Sequence, residues 1–292
     1  MNNSKKRECV IDKFDAGHPF SDKVFAPDEE WINKELEIFG QNLNEELIEA
    51  FRKELKSHGY TVQHTKNVCA MFLRAGSMDL QTAMDLLKTY LQNKVNCKHY
   101  FVKDSPSHLK IILDEKIHMM LSHRDPDGRR VFLIRPGLWE TNKLSLSDLY
   151  CVSAMMCDLI ATEPRTQIAG ALVIMDGDGF GFSHLKNLGL QDAKNIASFM
   201  DCFPLWFRGI HIVRQPRVFN MAYNIVYPFL NENARNVIHF HGQNLKSLHE
   251  YVDPRMLPSE YGGLGGPFDN KDVSLTLKEL ETYFRDIKTW KL

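Results

Sequence analysis

The chain has 292 residues, enough for one large domain or for a small domain beside a medium one. Its 43% hydrophobic and 25% charged residues are the proportions of an ordinary soluble globular protein, with core to spare for lining a cavity. With 36 Lys+Arg against 37 Asp+Glu, no global basic field draws in nucleic acid, and no polyanion-binding or disordered acidic class is expected.

Six cysteines (Cys9, Cys69, Cys97, Cys151, Cys157 and Cys202) are scattered without a CxxC, so neither a zinc cluster nor a disulfide scaffold is indicated. The opening MNNSKKRECVIDKFD is charged and lacks the apolar segment of a secretory signal. The longest apolar run, around Ala169 to Met175, is too short to span a bilayer. A reduced, cytoplasmic protein is expected.

The first hundred residues read as helices. Asp28 to Phe39 carries Trp31, Leu36 and Phe39 at helical spacing. Glu45 to Ser57 places Leu47, Ile48, Phe51 and Leu55 on one face and stops at His58-Gly59. Val68 to Arg74 and then Asp79 to Val95 follow. A boundary near residue 100 separates this 1–100 module from a 101–292 domain, where the periodicity changes. Beyond the turn Asp125-Pro126-Asp127-Gly128, Val131 to Ile134 is a short strand. Leu146 to Ala161 is a helix, and Ile168 to Met175 a strand covered on both faces. Gln191 to Met200 is helical, Gly209 to Val213 a strand, and Val218 to Leu230 a helix with a wide apolar arc. Val237 to Phe240, Leu245 to Tyr251 and Leu277 to Trp290 complete the series as strand, helix and helix. Strand alternating with helix predicts an α/β domain with a mixed, largely parallel sheet.

No motif for chemistry stands up. His123-Arg124-Asp125 lacks the downstream asparagine of a kinase catalytic loop and no DFG follows, so a polar turn is the better reading. Gly177, Gly179 and Gly181 miss the GxGxxG spacing, and Asp176 and Asp178 begin a calcium loop without its later ligands. His239 and His241 share a strand face, and His211 can join them across the sheet, but no acidic ligand supports a metal site. There is no GxSxG and no HExxH. Neither catalysis nor a cofactor is expected.

Helix 146–161 is more informative. Tyr150, Ser153, Ala154, Cys157 and Ala161 share a face, and small, weakly polar residues there leave room beside them. Ala171, Val173 and Met175 alternate onto one face of the adjoining strand.

Four stretches, AMFLRAGSMDLQTAMDLLKTYL, DPDGRRVFLIRPGLWE, DCFPLWFRGIHIVRQPRVFNMAYNIVYPFL and FHGQNLKSLHEYVDPRMLPSEYGG, closely resemble the CRAL–TRIO lipid-binding family. The branch of tocopherol transfer and retinaldehyde-binding proteins is the nearer one. The resemblance runs from about Asn44 to Gly263. It implies a helical module followed by an α/β domain whose sheet and helices enclose an apolar pocket, closed by a gate helix at about Pro216 to Leu230. The family's pocket positions fall on Tyr150, Ser153, Ala154, Cys157, Val173, Met175, Phe182, Ile196, Phe203 and Leu205. The resemblance also assigns Val218, Phe219, Ala222, Ile225, Val226 and Phe229 to the gate, with Val218, Ala222 and Ile225 facing a membrane. Arg208 matches a cationic position that contacts phosphoinositide headgroups in the tocopherol branch. Departures accompany it. A second arginine of that branch is Gly76 here, and two further basic positions fall on Asn233 and Val237, leaving Arg214, Arg217 and Arg235 as substitutes. The acidic and basic residues that hold phosphatidylinositol in another branch are replaced by Leu205 and Val237.

The implied protein is a non-enzymatic carrier that binds a small neutral hydrophobic lipid (tocopherol-, retinoid-, carotenoid- or sterol-like) and touches membranes transiently. A lipid-sensing adaptor acting on a protein partner is the alternative, distinguished by whether lipid moves catalytically between vesicles. Ala154→Phe is expected to fill the pocket and stop uptake.

Overall fold

The computed structural model describes residues 43–101, 115–121, 124–269, 277 and 281–292. The helix at Asp28 to Phe39, Cys9 and His123 lie outside the described residues.

Three capped helices open the chain. In α1 (Glu45–Ser57), Asn44 Oδ1 accepts the Leu47 N–H at 2.8 Å. In α2 (Lys66–Ala75), Thr65 Oγ1 accepts the Val68 N–H, and in α3 (Leu80–Asn96) Asp79 accepts from Thr82 at 2.7 Å. The short α4 (Lys98–Phe101) follows. Apolar faces of these helices meet at Phe51, Phe72, Leu87 and Tyr90, all buried.

The second part is built on a five-stranded sheet in the order β1-β2-β3-β4-β5. The strands are β1 (His118–Met120), β2 (Arg130–Ile134), β3 (Ala171–Asp176), β4 (Phe207–Val213) and β5 (Ile238–Gly242). β1 pairs antiparallel with β2, and the remaining pairs are parallel. This is the expected mixed, largely parallel sheet, with one strand, β1, that the periodicity does not mark. Helices α5 (Leu146–Ala161), α6 (Pro164–Ala169), α7 (Phe182–Leu185), α8 (Leu190–Cys202) and α9 (Arg217–Val226) connect or flank the strands. They are followed by α10 (Glu232–Asn236), α11 (Leu245–Leu248) and, near the end, α12 (Glu281–Ile287).

Two expectations are corrected in detail. The apolar run from Ile168 to Met175 is not one strand: Ile168 and Ala169 close α6, and Gly170 breaks the run with a φ of +86°. A Cβ at Gly170 would lie 2.4 Å from the Trp206 carbonyl oxygen, so both conformation and space demand glycine. The helix expected over 218–230 is α9 followed by a 3-10 turn at Tyr227–Phe229, because Pro228 cannot continue an α-helical ladder.

Period-two alternation divides the sheet into two faces. On one, Leu133, Leu172, Ile174 and Val213 pack beneath Leu248, Val252, Leu257 and Tyr261. The other face belongs to a larger buried cluster that crosses residue 100 and joins the helical module to the sheet. There Tyr90 Oη donates to Asp158 Oδ1 at 2.8 Å, and Lys94 Nζ donates to the Ile287 carbonyl. Burial raises the Asp158 carboxyl to about 6 and lowers the Lys94 ammonium to about 8.

Candidate functional site

On this second face the sheet and its helices do not fill the space between them. A cavity of about 250 Å³ remains. Its floor is a cross-strand row set by register: Phe132 opposite Val173, Val173 opposite Ile210, and Ile210 opposite Ile238. The next row is Ile134, Met175 and Ile212. The wall is α5, held at its start by a capping box in which Ser145 and Asp148 exchange hydrogen bonds. Its residues Leu146, Leu149, Tyr150, Ser153, Met156 and Cys157 line the cavity. Ile196, Phe199 and Met200 of α8 close one side, and Phe219, Ala222, Tyr223 and Val226 of α9 form the cover.

Of the residues singled out from sequence, Tyr150, Ser153, Cys157, Val173, Met175 and Ile196 line this cavity. Four do not. Ala154 sits one step around α5, facing Lys94, Tyr100, Phe101 and Phe284 on the helical-module side. Phe182 is 62% exposed at the start of α7, and Phe180, two residues earlier, takes the place on the wall. Phe203 turns into a ring cluster with Tyr90, Phe101 and Phe199. Leu205 is buried in the core, off the cavity wall.

The cover helix also differs from expectation. Phe219, Ala222 and Val226 are buried, so Ala222 faces the cavity, not an outer surface. Val218, Ile225 and Phe229 are partly buried, the last two against a cluster that includes Ala193, Ala197 and Leu230. Met221 and Tyr227, 48% and 43% exposed, are the large apolar residues that α9 and its turn present outward. The cover is latched by ring contacts, Phe219 on Phe180 at 5.2 Å and Tyr223 on Phe240 at 4.9 Å.

The predicted headgroup cations are dispersed. Arg208 lies near the start of β4 and Arg214 just past its end, and six residue steps at about 3.3 Å each put their backbones roughly 20 Å apart. Arg208 stacks on the Trp206 ring at 4.1 Å and its Nε donates to the Ala169 carbonyl. Burial, with Arg129 nearby, lowers its pKa. Arg214 is held in a bidentate contact with Asp176, which also accepts from Tyr261 Oη at 2.8 Å. Arg217 is exposed at the start of α9, while Arg235 stacks on Tyr227 at 4.4 Å. At Gly76, a Cβ would approach the Ala83 nitrogen to 2.7 Å, so no arginine fits there without moving α3.

His211, His239 and His241 do gather, on the sheet face opposite the cavity, around Tyr251. Ser247 Oγ donates to the Asn244 carbonyl, so it accepts from His241 Nδ1 at 2.7 Å. His241 Nε2 is then the acceptor for His211 Nδ1–H at 3.1 Å. The chain of bonds uses both nitrogens of His241. No group of His, Cys, Asp or Glu able to hold a metal occurs among the described residues.

The sequence reading missed His118, Trp139, Phe180 and His184 on the cavity wall. His184 Nδ1 accepts from the Gly181 N–H at 2.8 Å, leaving Nε2–H to donate to the Trp139 carbonyl. His118 is 1% exposed, and its Nε2 meets Ser153 Oγ at 3.0 Å. Burial lowers its pKa from 6.5 to about 3, so the ring is neutral. A histidine with a depressed folded-state pKa costs nothing above the unfolded value. Stability is then lost at up to about 1.4 kcal/mol per pH unit as pH falls from 6.5 towards 3. Asp158, raised to about 6, opposes part of this loss below that pH. Thermal melts from pH 7 to 4 are expected to fall less steeply in His118→Gln than in the unsubstituted chain; equal slopes would mean that His118 takes up its proton while folded.

No helix is long and apolar enough to cross a membrane among the described residues. Residues 114–263 match the CRAL/TRIO domain family. The mouse (Mus musculus) alpha-tocopherol transfer protein-like protein is 31% identical over 214 residues, 73% of this chain and 62% of that one. Rat (Rattus norvegicus) clavesin-1 is 32% identical over 210 residues, 70% of this chain and 59% of its own. The chain thus spans about three fifths of the length of these relatives. The crystal structure of Sfh5 superposes with a TM-score of 0.52 at 14% identity, covering 82% of this chain and 90% of that one, a likeness of fold. With the family match over more than half its residues, and with an apolar cavity between a largely parallel sheet and a covering helix, this chain is a member of the CRAL/TRIO family.

Proposed function

We propose that this protein is a non-enzymatic carrier, which binds a small neutral hydrophobic lipid in the cavity and exchanges it with membranes by moving α9. The observation that carries the reading is the cavity itself, whose wall contains no Lys, Arg, Asp or Glu among the described residues. An ionised phosphate or carboxylate placed there would lose its hydration without a counter-charge. A lipid burying about 500 Å² of apolar surface would gain on the order of 10 kcal/mol before ordering costs. The name of the mouse relative, alpha-tocopherol transfer protein-like, supports transfer as the activity.

Loading requires a way in, and α9 with its turn is the element whose buried side both lines the cavity and rests on rings. Exposing that apolar side to water is unfavourable; opening against a bilayer interface lowers the cost. Met221, already outward, would meet the interface first. Met221→Asp is expected to slow vesicle-to-vesicle lipid transfer several-fold with solution binding unchanged, and an unaltered transfer rate would remove α9 from that role.

The direct test is to purify the protein from a lipid-rich host, extract it with organic solvent and weigh what is released. One neutral lipid per chain is expected. Phosphatidylinositol at one per chain would overturn the neutral-ligand reading, and an extract without stoichiometric lipid would favour a sensor that meets its ligand elsewhere.

A further inference from the structure

His118 occupies the antiparallel strand β1, opposite Ile134, and its side chain forms part of the cavity wall. The ring is almost wholly enclosed, yet its Nδ1 has no hydrogen-bond partner among the described residues. Its Nε2 is committed to Ser153 Oγ at 3.0 Å, and Ser153 lines the same cavity. The contrast with the second wall histidine is informative, since both nitrogens of His184 are satisfied within the fold. The Trp139 indole N–H is also satisfied, by the Leu144 carbonyl at 2.7 Å. A buried imidazole nitrogen left unpaired is unfavourable, and a molecule in the cavity can supply what is missing.

We propose that His118 is a ligand-contacting, specificity-determining residue, and that its Nδ1 engages a hydroxyl group at one end of the bound lipid. This rests on the carrier reading above. The ring has two neutral tautomers. If Nε2–H donates to Ser153, Nδ1 is an acceptor and requires a donor. If the Ser153 hydroxyl donates to Nε2, Nδ1–H is a donor and requires an acceptor. A hydroxyl answers both, because it donates and accepts. A pure hydrocarbon answers neither. A carboxylate could accept from Nδ1–H, but it would bring a charge into a wall that has no cation among the described residues. A neutral carbonyl answers only the second tautomer, so the class that fits either is a neutral alcohol or phenol, its apolar body lying against Val173, Ile210 and the cover helix.

Two fluorescent probes separate the roles, a conjugated octadecatetraene alcohol and octadecatetraene itself, each delivered from cyclodextrin. The chains are identical, so their apolar burial is the same. His118→Leu is expected to weaken the alcohol by about tenfold or more while changing hydrocarbon affinity by no more than about twofold. His118→Gln, which retains a polar group, is expected to recover part of the alcohol affinity. Hydrocarbon binding reports that the cavity of each variant is intact. If His118→Leu leaves both probes unchanged, or weakens both equally, the polar role of His118 is overturned while the carrier reading stands. If neither probe binds the unsubstituted protein, the carrier reading fails and this inference with it.

Discussion

Cys157→Phe is expected to abolish uptake of the octadecatetraene alcohol while leaving a cooperative melt within a few degrees of the parent. Cys157 lies on the cavity wall, one helical turn from Ser153. A phenyl ring there enters the cavity instead of displacing packed atoms, so the usual overpacking cost of about 1–3 kcal/mol is largely avoided. Ala154→Phe makes the informative contrast. That position was the natural choice from the helix periodicity, but its Cβ faces Tyr100, Phe101 and Phe284. The added ring is expected to destabilise the fold by about 1–3 kcal/mol and to leave ligand affinity close to normal in the folded fraction. Equilibrium probe titrations and melts of the two variants decide the matter. Equal loss of binding in both would mean that the cavity extends to the other side of α5.

Glu163→Ala is expected to have the largest effect on stability. Its carboxylate, 1% exposed, accepts from Arg124 Nη2 at 2.8 Å, from Arg130 Nη2 at 2.6 Å and from Thr166 Oγ1 at 2.6 Å. Both guanidinium groups are as buried as the acid, and they outweigh the desolvation that would otherwise raise its pKa, holding it down at about 2. Removing one member of such a cluster typically costs about 3–5 kcal/mol, because buried charge is left behind. A fall in melting temperature on the order of 10 °C follows. The folded-state pKa is depressed relative to 4.5, so this contribution is complete above pH 4.5 and is lost as pH falls towards 2. The stability gap between Glu163→Ala and the parent should therefore narrow over that window. A gap that persists at pH 2 would assign the effect to packing.

Much of the frame is legible in the chain because local rules and global fold agree. The capped helices at Glu45–Ser57, Lys66–Ala75 and Leu80–Asn96 announce themselves by an Asn, Thr or Asp before an apolar stripe. The strands β2 and β3 stand out as short apolar runs, and β4 and β5 as stretches in which apolar residues alternate with histidine. The small-residue face of α5 is legible too, although periodicity alone fits ordinary core as well as a cavity wall.

What composition and periodicity gave was the class of the chain, an α/β protein with a light apolar face on one helix that ordinary core explains as well; the resemblance to a family turned that face into an expected cavity. Composition and periodicity reach that far because secondary structure and burial follow from spacing along the chain. Which residues meet across the cavity did not follow, since that depends on register between strands distant in sequence and on the rotation of each helix about its axis. A rotation of one position took Ala154 off the wall and put Leu149 and Met156 on it. The two ends of β4 keep Arg208 and Arg214 apart, although only five residues separate them in the chain. His118 lies in a three-residue strand with no alternation to mark it, and its partner Ser153 is 35 positions away. Packing alone brought them together and left Nδ1 of His118 without a partner among the described residues.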